Sequence, residues 1–159
     1  MLFRSIQNSW RVADGDVAAA RGEIAVNFAA PVLLTALAWS HLVAARGAVV
    51  NIGSGLGFAP KRAAPVYCAT KAALAMWSRA LRLQAADDGV RVVQVVLPLV
   101  DTAMTAGRGA NKIDAMTAAR AVARGLERDR DDIFVGKARL LPFMNRLAPG
   151  VLAHALRET

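Results

Sequence analysis

Gly47-Ala48-Val49-Val50-Asn51-Ile52 is a short, nearly continuous apolar run opened by glycine, the pattern of a strand covered on both faces. Gly53 to Pro65 follows as a Gly- and Pro-rich loop. From Val66 to Ala86 small and apolar residues recur at helical spacing, and Asp87-Asp88-Gly89 closes that helix. Val90 to Leu97 is β-branched and apolar, a second buried strand. Ahead of the first strand, Asp14 and Asp16 open an alanine-rich stretch from Val17 to about Ala45 that reads as one long helix, apolar on nearly every face beyond Glu23. Behind the second strand come a loop from Pro98 to Gly109, an amphipathic helix from about Ile113 to Leu126, and a short third strand over Asp132 to Val135. Short apolar helices punctuated by Pro142 and Pro149 complete the chain. This order predicts an α/β protein with a parallel sheet, whose ligands sit outside the carboxyl ends of the strands, at Ile52 to Gly57 and Leu97 to Thr102.

Composition narrows the class. The 159 residues are 55% hydrophobic and 20% charged, enough for one core, so residues 1–159 read as a single domain. Of 20 basic residues only Lys61, Lys71, Lys112 and Lys137 are lysine, and the net charge is +8. An excess of arginine draws phosphate, but aromatic residues are 6% and do not interleave with basic ones, so nucleic acid is not the expected partner. Cys68 stands alone, and His41 and His154 are isolated, so no metal site is expected. Met1 to Trp10 lacks a signal-like apolar stretch, and Ile24 to Trp39 is shorter than the roughly 20 residues of a spanning helix. A cytoplasmic protein without membrane attachment is the expectation.

Tyr67 and Lys71 sit one helical turn apart, so a phenol and an ammonium share a face. A neighbouring cation favours the phenolate, and the tyrosine pKa, about 10 when free, is expected to fall toward the range useful for proton exchange with an alcohol. Ser54, thirteen positions before Tyr67 at the end of the preceding strand, supplies a hydroxyl able to hold a carbonyl oxygen. In the first helix Pro31 has no N–H for the carbonyl of Asn27, leaving a free acceptor able to hold a water.

These residues resemble the catalytic group of the short-chain dehydrogenase/reductase family. Asn51-Ile52-Gly53-Ser54 is similar to the family's Asn-Ile-Ser-Ser strand end, and Leu97-Pro98-Leu99-Val100-Asp101-Thr102 to its Pro-Gly-x-Val-x-Thr loop. The resemblance covers about residues 16–159. It implies a partial Rossmann-like doubly wound parallel sheet, with Ser54, Tyr67, Lys71 and Asn27 as catalytic residues. It also implies Tyr67, Lys71, Val100 and Thr102 at the nicotinamide end of NAD or NADP, and a small carbonyl or alcohol substrate. In the family a water on the asparagine carbonyl links to the lysine, and the helices bearing the asparagine and the tyrosine commonly pair between subunits; a homo-oligomer through the helices of Asn27 and Tyr67 is therefore implied.

The family's opening strand, its Thr-Gly-x-x-x-Gly-x-Gly loop and its acidic ribose reader have no counterpart here. Gly53, Gly55 and Gly57 do not replace that loop, because Phe58 stands where G-x-G-x-x-G needs glycine and Pro60 and Pro65 bar an immediate helix. The expectation is a truncated chain with β-strand 48–52 left at an unpaired edge, partly covered by residues 1–15, and activity belonging to a longer parent. The alternative expectation is a non-catalytic interaction module in which the half-sheet and apolar helices pair with another subunit.

Overall fold

The computed structural model describes residues 5–157. Its centre is a parallel sheet of β1 (Ala48–Ser54), β2 (Arg91–Leu97) and β3 (Asp132–Phe134), in that spatial order. Val50 faces Val93, Ile52 faces Val95 and Ser54 faces Leu97 across the first pair; Val95 faces Ile133 across the second. Helix α4 (Pro65–Ala85) connects β1 to β2, and α5 (Ala115–Glu127) connects β2 to β3. This is the predicted partial Rossmann-like α/β layering.

Both faces of the sheet are packed, which is why its strands read as unbroken apolar runs. On one face Val49 and Val92 meet Leu81 and Ala85 of α4, with Trp39, Leu42 and Val43 of α3 (Trp39–Ala44) against them. On the other, Val93, Val95, Ile133 and Val135 pack with Val50, Ile52 and the apolar face of α5. Arg82 ties α4 to the sheet by donating to the carbonyls of Val92 and Asp131, both at 3.0 Å. Helix starts follow local chemistry: Asp16 accepts from the Ala19 N–H at 3.0 Å, Asp114 accepts from the Thr117 N–H at 2.9 Å, and Pro65 opens α4 where no N–H is needed.

The single helix expected from Val17 to Ala45 is corrected. The run begins as α1 (Val17–Ile24), passes through one π-helical turn at Ala25–Ala29, resumes as α2 (Ala30–Leu37), and breaks at Ala38 before α3. In the π turn the Ala30 N–H bonds the Ala25 carbonyl, which shifts the ladder just ahead of Pro31. The stretch Val17–Leu37 also overturns the expectation on length: its 21 residues are long and apolar enough, by composition, to cross a membrane, although Glu23 and Asn27 on it are buried in the protein. Among the described residues β1 has no strand on its outer side, as expected. Residues 5–10 instead lie over the π turn and the loop before α4, with the Asn8 N–H on Glu23 at 2.9 Å and the Trp10 N–H on the Ala63 carbonyl at 2.9 Å; residues 1–4 fall outside the described range. After β3, a 3-10 turn (Gly136–Leu140) leads into α6 (Leu141–Leu147) and α7 (Pro149–Leu156), each opened by its proline.

Candidate active site

Ser54 is the last residue of β1, and its Oγ accepts from the Leu56 N–H at 3.2 Å, turning the chain out of the strand. Tyr67 lies in the first turn of α4, with its phenol beside the Ser54 hydroxyl. One turn on, the Lys71 Nζ stands 5.5 Å from the centre of the Tyr67 ring and donates to the Ile52 carbonyl at 2.9 Å. Tyr67 and Lys71 are only 6% and 4% exposed.

That burial reverses one expectation. The phenol is held above its usual pKa of 10, because loss of solvent disfavours the phenolate more than the hydroxyls of Ser54 and Ser5 favour it. Lys71 does not lower it. The same loss of water acts on the ammonium, which drops from 10.5 to about 8. Lys71 is therefore still mostly a cation at neutral pH, with its proton directed at β1.

Asn27 joins the group through its side chain. Its Oδ1 accepts from the Ser5 hydroxyl at 3.0 Å and the Ile6 N–H at 2.9 Å, while its Nδ2 donates to the Ile6 carbonyl at 2.8 Å and Thr70 Oγ1 at 3.3 Å. The amide thus reads the backbone of Ile6 as a strand would and reaches α4 one residue before Lys71. Thr70 completes the link by donating to the Tyr67 carbonyl at 2.8 Å. The Ser5 hydroxyl and Thr70 are additions to the group expected from the sequence. Thr70 was legible in principle, lying between Tyr67 and Lys71 on the same helix; Ser5 comes close only through tertiary docking.

Val100 and Thr102 leave the carboxyl end of β2, and Ser54 and Leu97 are register partners, so both loops emerge from the same edge of the sheet. Val100 forms a bridge with Ile113. Thr102 is engaged within its own turn: its N–H donates to Thr105 Oγ1 at 3.0 Å, and Thr105 Oγ1 donates to the Val100 carbonyl at 2.6 Å. The structure brings Ser54, Tyr67, Lys71 and Asn27 together and sets Val100 and Thr102 on the adjoining loop.

For a nicotinamide dinucleotide, the described residues fit one end. The hydroxyls of Ser54 and Tyr67 stand together where a carbonyl oxygen could be held, but no cradle for a pyrophosphate is built among the described residues. A Cβ on Gly57 would stand 3.1 Å from the backbone carbon and oxygen of Lys71, so this glycine serves the close approach of its loop to α4.

A three-stranded parallel sheet packed by helices on both faces, with a serine, a tyrosine and a lysine gathered at the carboxyl end of its edge strand, is a partial Rossmann-like α/β arrangement. The short chain dehydrogenase family matches over residues 5–113, and the chain belongs to it. It is 47% identical over 92 residues to the uncharacterized oxidoreductase DltE of Bacillus subtilis, a match covering 57% of this chain and 34% of that one. It is 38% identical over 76 residues to the meso-2,3-butanediol dehydrogenase of Serratia marcescens, covering 48% and 30%. The matches therefore span about a third of the curated relatives' length. A short chain dehydrogenase from Burkholderia cenocepacia, solved in complex with NADP, superposes with a TM-score of 0.88 at 25% identity, over 96% of this chain and 67% of that one.

Proposed function

We propose that this chain carries the proton-handling part of an NAD(P)-dependent short-chain oxidoreductase acting on a small carbonyl or alcohol compound. The observation that supports it most is the Ser54 hydroxyl beside the buried Tyr67 phenol, with the Lys71 ammonium over the same ring. Bound nicotinamide supplies or accepts the hydride. Tyr67 gives its proton to the developing alkoxide oxygen, or takes it back in the reverse direction, and Ser54 holds that oxygen by hydrogen bonding. A phenol kept neutral by burial is in the right state to donate. Lys71 keeps a proton within one turn of the phenol, and the family resemblance gives it the nicotinamide ribose as a partner when the cofactor is bound. Asn27 positions α4 through Thr70. Val100 and Thr102 are assigned to the nicotinamide carboxamide end.

Dinucleotide affinity by calorimetry, together with NAD(P)H oxidation over a panel of small ketones and aldehydes, tests this reading. Tyr67→Phe lowers turnover at least about a hundredfold and leaves dinucleotide affinity nearly unchanged. Unchanged turnover would remove Tyr67 from the chemistry.

A second reading, a non-catalytic pairing module, is favoured by one observation. Leu37 on α2 and Leu83 on α4 are 78% and 80% exposed, with Leu33 and Met76 also open to solvent on the same helices. This is the surface through which a homo-oligomer would form. Self-association in sedimentation with no dinucleotide binding supports it; dinucleotide binding by a monomer defeats it.

A further inference from the structure

Two features on the β3 side of the sheet have no part in the chemistry above. The first is a surface cleft between the end of α5 and β3, lined by Arg124, Arg128, Arg130 and Arg139 together with Ile133 and Phe134. Four guanidinium groups around one cleft repel each other unless an anion joins them. Nearby carboxylates are engaged elsewhere: Asp129 and Asp131 face Arg91 at 3.0 and 3.8 Å, and Asp132 faces Arg82 at 3.3 Å. Glu127, exposed at the end of α5, is the remaining acid of that stretch. Among the described residues no side-chain hydrogen bond or ion pair occupies Arg124, Arg128 or Arg130, and Arg139 uses only its Nε, on the Phe134 carbonyl at 3.2 Å.

The second feature begins where the first ends. Arg139 belongs to the 3-10 turn that enters α6, and from there Leu140, Phe143, Leu147 and Val151 all face solvent, Phe143 and Leu147 at 66% and 64% exposure. The spacing from Leu140 to Leu147 is that of one helical face. Lys137 and Arg146 flank these residues and are exposed, and no acid occurs between Ile133 and Arg157. Apolar side chains held open beside a cluster of cations match an interface that is greasy within and negatively charged at its rim.

We propose that this face, α6 and the start of α7 with the arginine cleft beside it, docks on the surface of a bilayer containing anionic phospholipid. Phe143 and Leu147 enter the acyl boundary while a headgroup phosphate sits among Arg124, Arg128, Arg130 and Arg139. Neither element alone singles out a bilayer. A free phosphate needs the arginines but not the apolar residues, and a second protein copy needs the apolar residues but not the cationic cleft. The proposal does not depend on the oxidoreductase reading.

Co-sedimentation of the full chain with phosphatidylglycerol/phosphatidylcholine vesicles tests it, with pure phosphatidylcholine vesicles and inorganic phosphate as the other arms. The expected result is binding to the anionic vesicles at least tenfold tighter than to neutral ones, weakened by added salt. Phe143→Asp/Leu147→Asp and Arg124→Glu/Arg128→Glu each lower that binding at least tenfold, with circular dichroism reporting the fold. Should the apolar pair disturb folding, Lys137→Glu/Arg146→Glu, two exposed charge changes, must still weaken binding several-fold. Equal binding to neutral vesicles, or binding untouched by these variants but lost in Leu33→Asp/Leu37→Asp on α2, overturns the proposal. So does anionic-vesicle binding that inorganic phosphate abolishes at matched ionic strength, or a lipid-free dimer that Phe143→Asp/Leu147→Asp dissolves without vesicle binding by the parent chain.

Discussion

β1 and β2 are parallel neighbours of seven residues each, rich in valine, yet they live in different surroundings. Five consecutive residues of β2, from Val92 to Val96, are buried, because a strand flanks it on either side and helices cover both faces. In β1 the buried residues alternate: Val49, Asn51 and Gly53 are closed in against α4, while Val50 and Ile52 remain partly open. The residues proposed to handle protons attach to the less enclosed strand. Ser54 ends β1 and Lys71 bonds its Ile52 carbonyl, whereas the loop after β2 is closed on itself through Thr105. Enclosure and chemical availability are separated by the width of one strand.

The contrast is broken most sharply by introducing a charge at matched positions. Val95→Asp puts an unpaired carboxylate in a fully buried site, and the expected outcome is loss of the cooperative thermal transition. Val50→Asp, at a partly open position on the adjoining strand, lowers the melting temperature but keeps the transition. Equal effects would mean that β1 is as enclosed as β2.

Next in size is Gly125→Ala on α5, packed against β3. In an exposed helix interior this change gains up to about 1 kcal/mol. Here the new methyl would meet three side-chain atoms of Ile133 at 2.7 to 2.8 Å, so a loss of about 1 to 3 kcal/mol in denaturant unfolding is expected instead.

An effect confined to alkaline pH, and absent at neutrality, sharpens the picture at the carboxyl end of β1. Lys71 titrates near 8 in the fold and near 10.5 when unfolded. Between those values the unfolded chain holds the extra proton, so stability rises with pH through that window, by on the order of 3 kcal/mol at most. Tyr67, shifted upward, acts with the opposite sign above pH 10. Lys71→Met removes the rise between pH 8 and 10 in urea titrations; an unchanged slope would assign it to another group.

Much of this arrangement is written in local pattern. The apolar runs of β1 and β2, the helix that starts at Pro65, and the thirteen-residue interval from Ser54 to Tyr67 all report neighbours that are close in sequence or periodic along it. What escapes such a reading depends on distant contacts. Pro31 marks a disturbance in the first helix, but neither the π form of the turn before it nor the break at Ala38 has a local signature. The docking of Ile6 on Asn27 uses backbone groups that carry no side-chain signature, and the Ser5 hydroxyl meets Asn27 across a gap of 22 residues. The direction of the Tyr67 shift is not legible in the sequence, because a cation four residues away is visible there, whereas the withdrawal of water from both partners is not. Arg124, Arg128 and Arg130 are neighbours on the chain, but their convergence with Arg139 requires the turn at β3.

The extra residue in the π turn sets the rotational phase of its helix. Glu23, Asn27, Pro31 and Thr35 are all buried, each four positions after the last. In an uninterrupted α-helix such a row would precess by about 40° per step, or about 120° from first to last. Widening one turn takes up part of that precession and keeps the row closer to a straight seam. Removing a single residue from 25–29 would act like a slipped gear tooth: the half bearing Glu23 would stay meshed, and the half bearing Pro31 and Thr35 would rotate away.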